Sequence, residues 1–260
     1  MGITFSGQNA FSRLLVVVML ASFMVVPQIA RAVEVNELIN LIDDLWRGET
    51  SRADMTMTIK TQRYERAMSM DAWSLGQDYS LIVIREPKKD KDIATLKVEE
   101  NIWNYLPKIN RVTKVPSSMM SGSWMGSHFT NDDLVKDSSF ADDYDSQITF
   151  EGERDGVQIY EITSIPLPDA PVVWGKVVTT LQQDPLVPLA SEYYDEDGLL
   201  VRTMSFDDIR QIGERLVPMR MRLIPQDKPG ESTQIVYNDI EFDVPLEESI
   251  FSLKNLQRRH

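Results

Sequence analysis

The side chains able to act as acid, base, nucleophile or metal ligand are few and badly spaced. Histidine occurs only at His128 and at the terminal His260, and cysteine is absent. A Ser-His-acid hydrolase needs a base, usually histidine, beside an accessible hydroxyl. The run Gly122-Ser123-Trp124-Met125-Gly126 carries its serine second, not third, so it is not the G-x-S-x-G elbow. His128 with Asp132 and Asp133 lacks a recognised metal-ligand spacing. Asp142, Asp143 and Asp145 lack the glycine and closing glutamate of a calcium loop, and read as a solvated acidic turn. There is no Gly-rich phosphate loop and no H-E-x-x-H pair. Without cysteine there is no thiolate nucleophile, disulfide framework or Cys-based metal site. With 40 acidic residues, chance carboxylate pairs are plentiful and carry no weight for glycoside hydrolysis. The expectation is a binding protein, not an enzyme, with no cofactor and no metal.

The N-terminus has the order of a secretory leader. Arg13 precedes the apolar run Leu14 to Val26, Pro27 ends it, and Ala30-Arg31-Ala32 follows. A basic region, a short apolar core and a small-x-small site predict cleavage between Ala32 and Val33 and export to the periplasm. The alternative is an uncleaved anchor, but the run falls short of the roughly 20 apolar residues that span a bilayer. Arg13 and Arg31 are the leader's only charges, so residues 33–260 hold 25 basic and 40 acidic residues, a formal charge of −15. Such a chain is repelled by nucleic acid and by anionic surfaces. The charge either keeps a carrier off the bilayer or serves solubility alone. The 228 residues after Ala32 suit one large β domain.

Positioning elements follow from periodicity. Leu38, Leu41, Ile42 and Leu45 recur at helical spacing, Trp46 sits beside them and Gly48 ends the pattern, which predicts a helix over 35–47. Thereafter short runs alternate. Ala53, Met55, Met57 and Ile59 face one way and Asp54, Thr56, Thr58 and Lys60 the other; Met219, Met221 and Leu223 alternate with Arg220 and Arg222. Further runs fall at 64–75, 79–85, 93–98, 102–106, 112–115, 146–151, 157–164, 174–182, 188–195, 199–209 and 233–242, parted by turn residues. This predicts a curled antiparallel sheet of about 10–12 strands packed on the 35–47 helix. Its concave face is expected to collect Met55, Met57, Met219 and Met221.

Residues 116–140 stand apart. Met119, Met120, Trp124, Met125 and Phe129 lie among serines and glycines. Ser and Gly loosen a backbone, and Met adapts to irregular apolar surfaces. Two readings follow: a mobile lid over an apolar cavity, or a loop that plugs the end of an ordinary core.

Several segments together resemble the outer-membrane lipoprotein-sorting protein family, relatives of the periplasmic carrier LolA. They are Trp73-Ser74 with Tyr79, Pro87-Lys88-Lys89-Asp90, Ile102-Trp103-Asn104-Tyr105-Leu106-Pro107-Lys108, Arg111-Val112, Ser121-Gly122-Ser123-Trp124-Met125-Gly126-Ser127 and Phe129-Thr130-Asn131-Asp132-Asp133-Leu134. The resemblance covers nearly all of residues 33–260 and implies an unclosed antiparallel β-barrel wrapped around helices, with an apolar cavity, in the periplasm. It implies a carrier that holds lipid or lipoprotein acyl chains on the way to the outer membrane, or an accessory or lipid-sensing subunit of an inner-membrane exporter. An exporter or an outer-membrane acceptor is the partner class, and nucleic acid is not. The candidate cavity and lid residues are Met55, Met57, Trp103, Met119, Met120, Trp124, Met125, Phe129, Met219 and Met221.

Overall fold

In a computed structural model the described residues are 1–2, 34–136, 140–170 and 172–256. The expected leader beyond Gly2 and its expected cleavage site at Ala32 lie outside them, as does His260. After helix α1 (Val35–Asp44) come six strands: β1 (Thr50–Lys60), β2 (Glu65–Leu75), β3 (Tyr79–Glu86), β4 (Ala94–Val98), β5 (Asn101–Leu106) and β6 (Arg111–Lys114). Seven more follow residue 143: β7 (Tyr144–Arg154), β8 (Val157–Pro166), β9 (Lys176–Gln183), β10 (Leu186–Tyr194), β11 (Leu200–Ile212), β12 (Arg215–Pro225) and β13 (Ser232–Phe242). All thirteen form one antiparallel sheet in the order β6-β5-β4-β3-β2-β1-β13-β12-β11-β10-β9-β8-β7, which leaves β6 and β7 as free edges. Ten to twelve strands were expected; each alternating run proves a strand of its own, down to four-residue β6.

Alternation decides which face is covered. On β1 the residues Ser51, Ala53, Met55, Met57 and Ile59 are buried, and their neighbours are not. Met55 lies opposite Met70 and Met57 opposite Met68 on β2, so methionines meet in cross-strand pairs. Residues from β3 and from β8 to β12 line one common cavity, so the sheet curls until its two halves face each other. Helix α1 closes part of the opening, with Leu38 and Ile39 packed on Ile162 and Leu181. The predicted helix differs in detail: it ends at Asp44, Ile39 is buried, and Leu41 is 38% exposed. The helix packs on the β8–β9 side, and that contact selects the 38/39 flank.

Between β2 and β5 the sheet is buried on both faces. Leu81, Val83, Leu96 and Tyr105 face outward, where Phe251 and Leu256 of the C-terminal segment cover them. Hence Ala94 to Lys97 are all buried in succession. After β6, residues 115–136 bend back across the inner face, where Trp124 and Phe129 join its core.

Candidate functional site

The inner face holds an apolar cavity of about 240 Å³. Met55, Met70, Ile82, Ile162, Phe206 and Met221 belong to its wall, with Ile39, Ile42 and Trp46 from α1 and the turn after it. This volume exceeds the roughly 150 Å³ of an apolar cavity that stays dry and takes up benzene. The cavity's polar lining includes Ser51, Ser74, Ser164 and Ser191, and two pairs tie hydroxyl to hydroxyl or to a neighbour: Ser51 with Ser74 at 2.7 Å, Thr179 with Ser191 at 3.2 Å. Paired hydroxyls present little unmet polarity to an apolar guest.

A hairpin within residues 121–130 stops one end of the cavity. Ser123 and Thr130 form an antiparallel bridge, Trp124 N–H donates to Phe129 O at 2.8 Å, and Ser127 N–H donates to Trp124 O at 2.9 Å. The turn runs through Met125 and Gly126 at φ +52° and +73°, the left-handed pair that a two-residue hairpin turn requires. Gly126 meets this demand without strain, and Met125 adopts it at a cost. Ser127 Oγ donates to Trp124 O at 2.7 Å and accepts from Phe129 N–H at 3.1 Å. The serines thus knit the hairpin together instead of loosening it.

The hairpin drives Trp124 and Phe129 into the core, at 3% and 7% exposure, among Met57, Ile84, Met219 and Leu223. Trp124 Nε1–H donates to Thr95 Oγ1 at 3.1 Å, and Thr95 in turn donates to Asn104. Two polar clamps hold the hairpin to the far strands. His128 reaches the start of β13: its backbone N–H donates to Thr233 Oγ1 at 3.0 Å, Nδ1 lies 2.8 Å from the same oxygen, and Nε2 lies 3.0 Å from Glu231 Oε2. The hydrogen bond from His128 and the N–H of Gln62 hold the Glu231 carboxyl below its usual 4.5. The second clamp is Asp133, whose carboxylate takes two hydrogen bonds from Arg202 at 2.6 and 2.7 Å. Arg202 itself lies 4.3 Å from the rings of both Trp174 and Tyr193. Asp133 also closes a capping box: its Oδ2 accepts from Thr130 N–H at 2.7 Å while its own N–H donates to Thr130 Oγ1 at 3.1 Å. Asn131 ties down the preceding turn by donating to Met119 O and Gly122 O.

Thr233, His128 and Glu231 share the connectivity of a nucleophile, base and acid. Thr233 is completely buried on β13, so no carbonyl carbon can approach its hydroxyl, and it already accepts a backbone N–H. The arrangement is a clamp. Among the described residues no three His, Asp or Glu side chains converge as for a metal ion; Asp133, instead of joining His128, engages Arg202.

The candidate residues separate into three groups. Met55, Met221, Trp124 and Phe129 line the cavity. Met57 and Met219 share its inner face but are fully packed behind it, and Met125 is half-buried against the same core. Trp103, Met119 and Met120 are not among the cavity's lining residues. Trp103 pairs with Leu96, on the outward face of the pleat, and Lys114 stands 5.8 Å from its ring. Met119 is 57% exposed, and its backbone carbonyl does the work of anchoring Asn131. Sequence reasoning missed Ile82, Ile162 and Phe206 as cavity lining, because their strands carry no Met or Trp enrichment. It also missed the Arg202–Trp174–Tyr193 stack, whose members are 28 residues apart at the extremes and give no local signal.

Among the described residues no helix is long and apolar enough to cross a membrane. A family model described as an uncharacterized protein family matches residues 76–258. Among solved structures, a DUF1329 family protein from Desulfovibrio piger is 24% identical over 85% of this chain and 96% of its own, with a TM-score of 0.77. A putative outer membrane lipoprotein-sorting protein domain from Vibrio parahaemolyticus is 27% identical over 85% and 97%, with a TM-score of 0.75. A LolA superfamily protein from Nitrosomonas europaea is 20% identical over 86% and 100%, with a TM-score of 0.73. No curated protein sequence matches the chain.

Proposed function

The chain belongs to the family of uncharacterized proteins whose model spans residues 76–258, with a LolA-superfamily fold, and from that premise we propose that it is a periplasmic carrier for the acyl chains of lipids or lipoproteins. The observation that carries the reading is the apolar cavity of about 240 Å³ between the curled sheet, α1 and the hairpin. Each CH₂ placed in it contributes about 0.8 kcal/mol, so a single chain of moderate length gains enough affinity to be held. The similarity to a lipoprotein-sorting domain at 27% identity supports this cargo class. Residues 1–32 act as the export leader, cleaved after Ala32, and residues 33–260 as the lipid-binding domain. In this reading the protein binds and does not catalyse; among the described residues the nucleophile-base-acid chain Thr233-His128-Glu231 is sealed in a clamp.

The test is native mass spectrometry of the protein purified from periplasm without detergent, followed by transfer of the bound lipid to acceptor vesicles. Co-purified acyl lipid that moves to acceptors is the expected result. A cavity empty of lipid in protein from its own host, and no uptake of added lipid, would overturn the carrier reading.

A further inference from the structure

Net charge conceals how charge is distributed over this fold. Strand pairing brings the β1–β2, β3–β4 and β5–β6 turns to one end of the sheet: Lys60 faces Glu65, Ser69 faces Glu86, Val83 faces Ala94 and Leu106 faces Arg111. Those turns carry Arg63, Lys88, Lys89, Lys91, Lys108 and Arg111, all exposed. None of the six enters an ion pair among the described residues. The acids of the same turns and strand ends are Glu65, Glu86, Asp90 and Asp92, with Asp227 and Glu231 in the adjoining β12–β13 turn; Asp90 is already engaged by Arg66 at 3.4 Å and Glu231 by His128 at 3.0 Å. Between the cations two apolar side chains project from turn tips: Tyr64 at 48% exposure and Ile109 at 62%. The acidic turn Asp195-Glu196-Asp197 lies at the same end but in the other half of the curled sheet, four strands from β1 and seven from β4. At physiological salt, with a Debye length of about 8 Å, the charges nearest a surface dominate the interaction with it.

We propose that this β1–β6 corner is a docking surface for an anionic phospholipid bilayer. Charge complementarity selects the occupant: lysines and arginines at a surface are drawn to anionic headgroups. The shape selects it too. Isolated apolar tips flanked by cations suit an interface where Ile109 enters the headgroup–acyl boundary and Tyr64 sits at headgroup level. A folded partner would instead need a matching cleft for each tip. The corner also adjoins the stoppered end of the cavity, since Gln62 N–H of the β1–β2 turn donates to Glu231, the acid of the His128 clamp. Docking would thus place the hairpin end of the carrier against the membrane. The inference extends the carrier reading by naming the surface on which cargo is exchanged.

The test is co-sedimentation of the purified protein with vesicles of phosphatidylglycerol mixed with phosphatidylcholine, against phosphatidylcholine alone. Binding is expected only to the anionic vesicles, and is lost near 1 M salt, where the Debye length is about 3 Å. Each basic residue near such a surface contributes about fivefold, so K88Q/K89Q/K91Q should lose on the order of a hundredfold in partitioning. Ile109→Ser should lose roughly tenfold from the apolar contact. Arg210→Gln, at the opposite end of the sheet, should bind as the parent does. All of these positions are exposed, and an unchanged melting temperature confirms that each variant is folded. Absence of binding to the anionic vesicles, equal binding to the neutral ones, or undiminished binding of the triple variant would overturn the proposal. Vesicle docking is read whether or not the cavity holds cargo, so an empty cavity sinks the carrier reading alone and absent docking sinks this one alone.

Discussion

Replacing Trp124 with alanine separates a plug from a lid. In the structure the indole is 3% exposed, packs in the main core cluster and borders the cavity. Truncating a buried Trp to Ala costs about 3–5 kcal/mol, against a total stability of roughly 5–15 kcal/mol for a domain. For a domain of this size each kcal/mol lowers Tm by about 2–4 °C, so Trp124→Ala should melt roughly 6–20 °C lower. Trp124→Phe keeps most of the apolar contact and loses only the N–H bond to Thr95, which retains Asn104 as a partner. Its cost should be near 1 kcal/mol. A fluorescent fatty acid titrated into the still-folded Trp124→Ala protein should continue to bind, because the deletion only enlarges the space in front of Met57 and Met219. The assays are thermal unfolding of lipid-free protein and probe binding on the same preparation. If Trp124→Ala melts like the parent but no longer holds the probe, Trp124 is a lid and the plug argument is refuted.

Three further outcomes follow from the same geometry. Asp133→Asn removes the carboxylate paired with the buried Arg202 guanidinium and should cost on the order of 3 kcal/mol, measured by urea unfolding; a change below about 0.5 kcal/mol, the size of a typical surface effect, would show that the Asp133 charge does not secure Arg202. Folding lowers the Glu231 pKa below its usual 4.5, so its clamp is complete above that pH and is lost as the pH falls through the depressed value. Glu231→Gln should therefore flatten the acid limb of stability below the usual 4.5 while leaving less stability at neutral pH, and an unchanged acid limb would remove Glu231 from the linkage. Ala53→Phe places a ring in the cavity wall and should abolish probe binding with a cost of about 1–3 kcal/mol from overpacking; retained binding would mean that cargo sits elsewhere.

Strand positions were legible because one buried face imposes a period of two, and runs such as Ala53-Met55-Met57-Ile59 display it without interruption. The same rule fails where both faces are buried. Leu81 and Ile82 on β3 serve different cores, one under Phe251 and Leu256 and one at the cavity, and nothing in their immediate sequence says that a C-terminal segment will return to cover the first. Trp103 shows the complementary failure. It sits in a block that carries family resemblance, yet the pleat turns it outward with Leu96, one residue out of phase with Asn104 and Ile102. The hairpin was legible as a unit but its mechanics were not. Serine and glycine there read as looseness, because the partners that stiffen it, Thr233, Glu231 and Arg202, lie 69 to 105 residues away.

Charge illustrates why composition and topology answer different questions. A formal charge of −15 over residues 33–260 predicts a net repulsion from anionic surfaces, which salt screens beyond a Debye length. At contact only charges within about 8 Å of the surface act, and the order of strands decides which those are. Arg63, Lys88, Lys89, Lys91, Lys108 and Arg111 are spread over 49 positions of chain, too diffuse for a basic run. Three successive hairpins return the chain to the same end of the sheet and stack their tips, so residues distant in sequence become one cationic corner. The remaining negative charge then has a physical role of its own. Its repulsion from an anionic bilayer favours approach by the cationic corner beside the hairpin over approach by an acidic face.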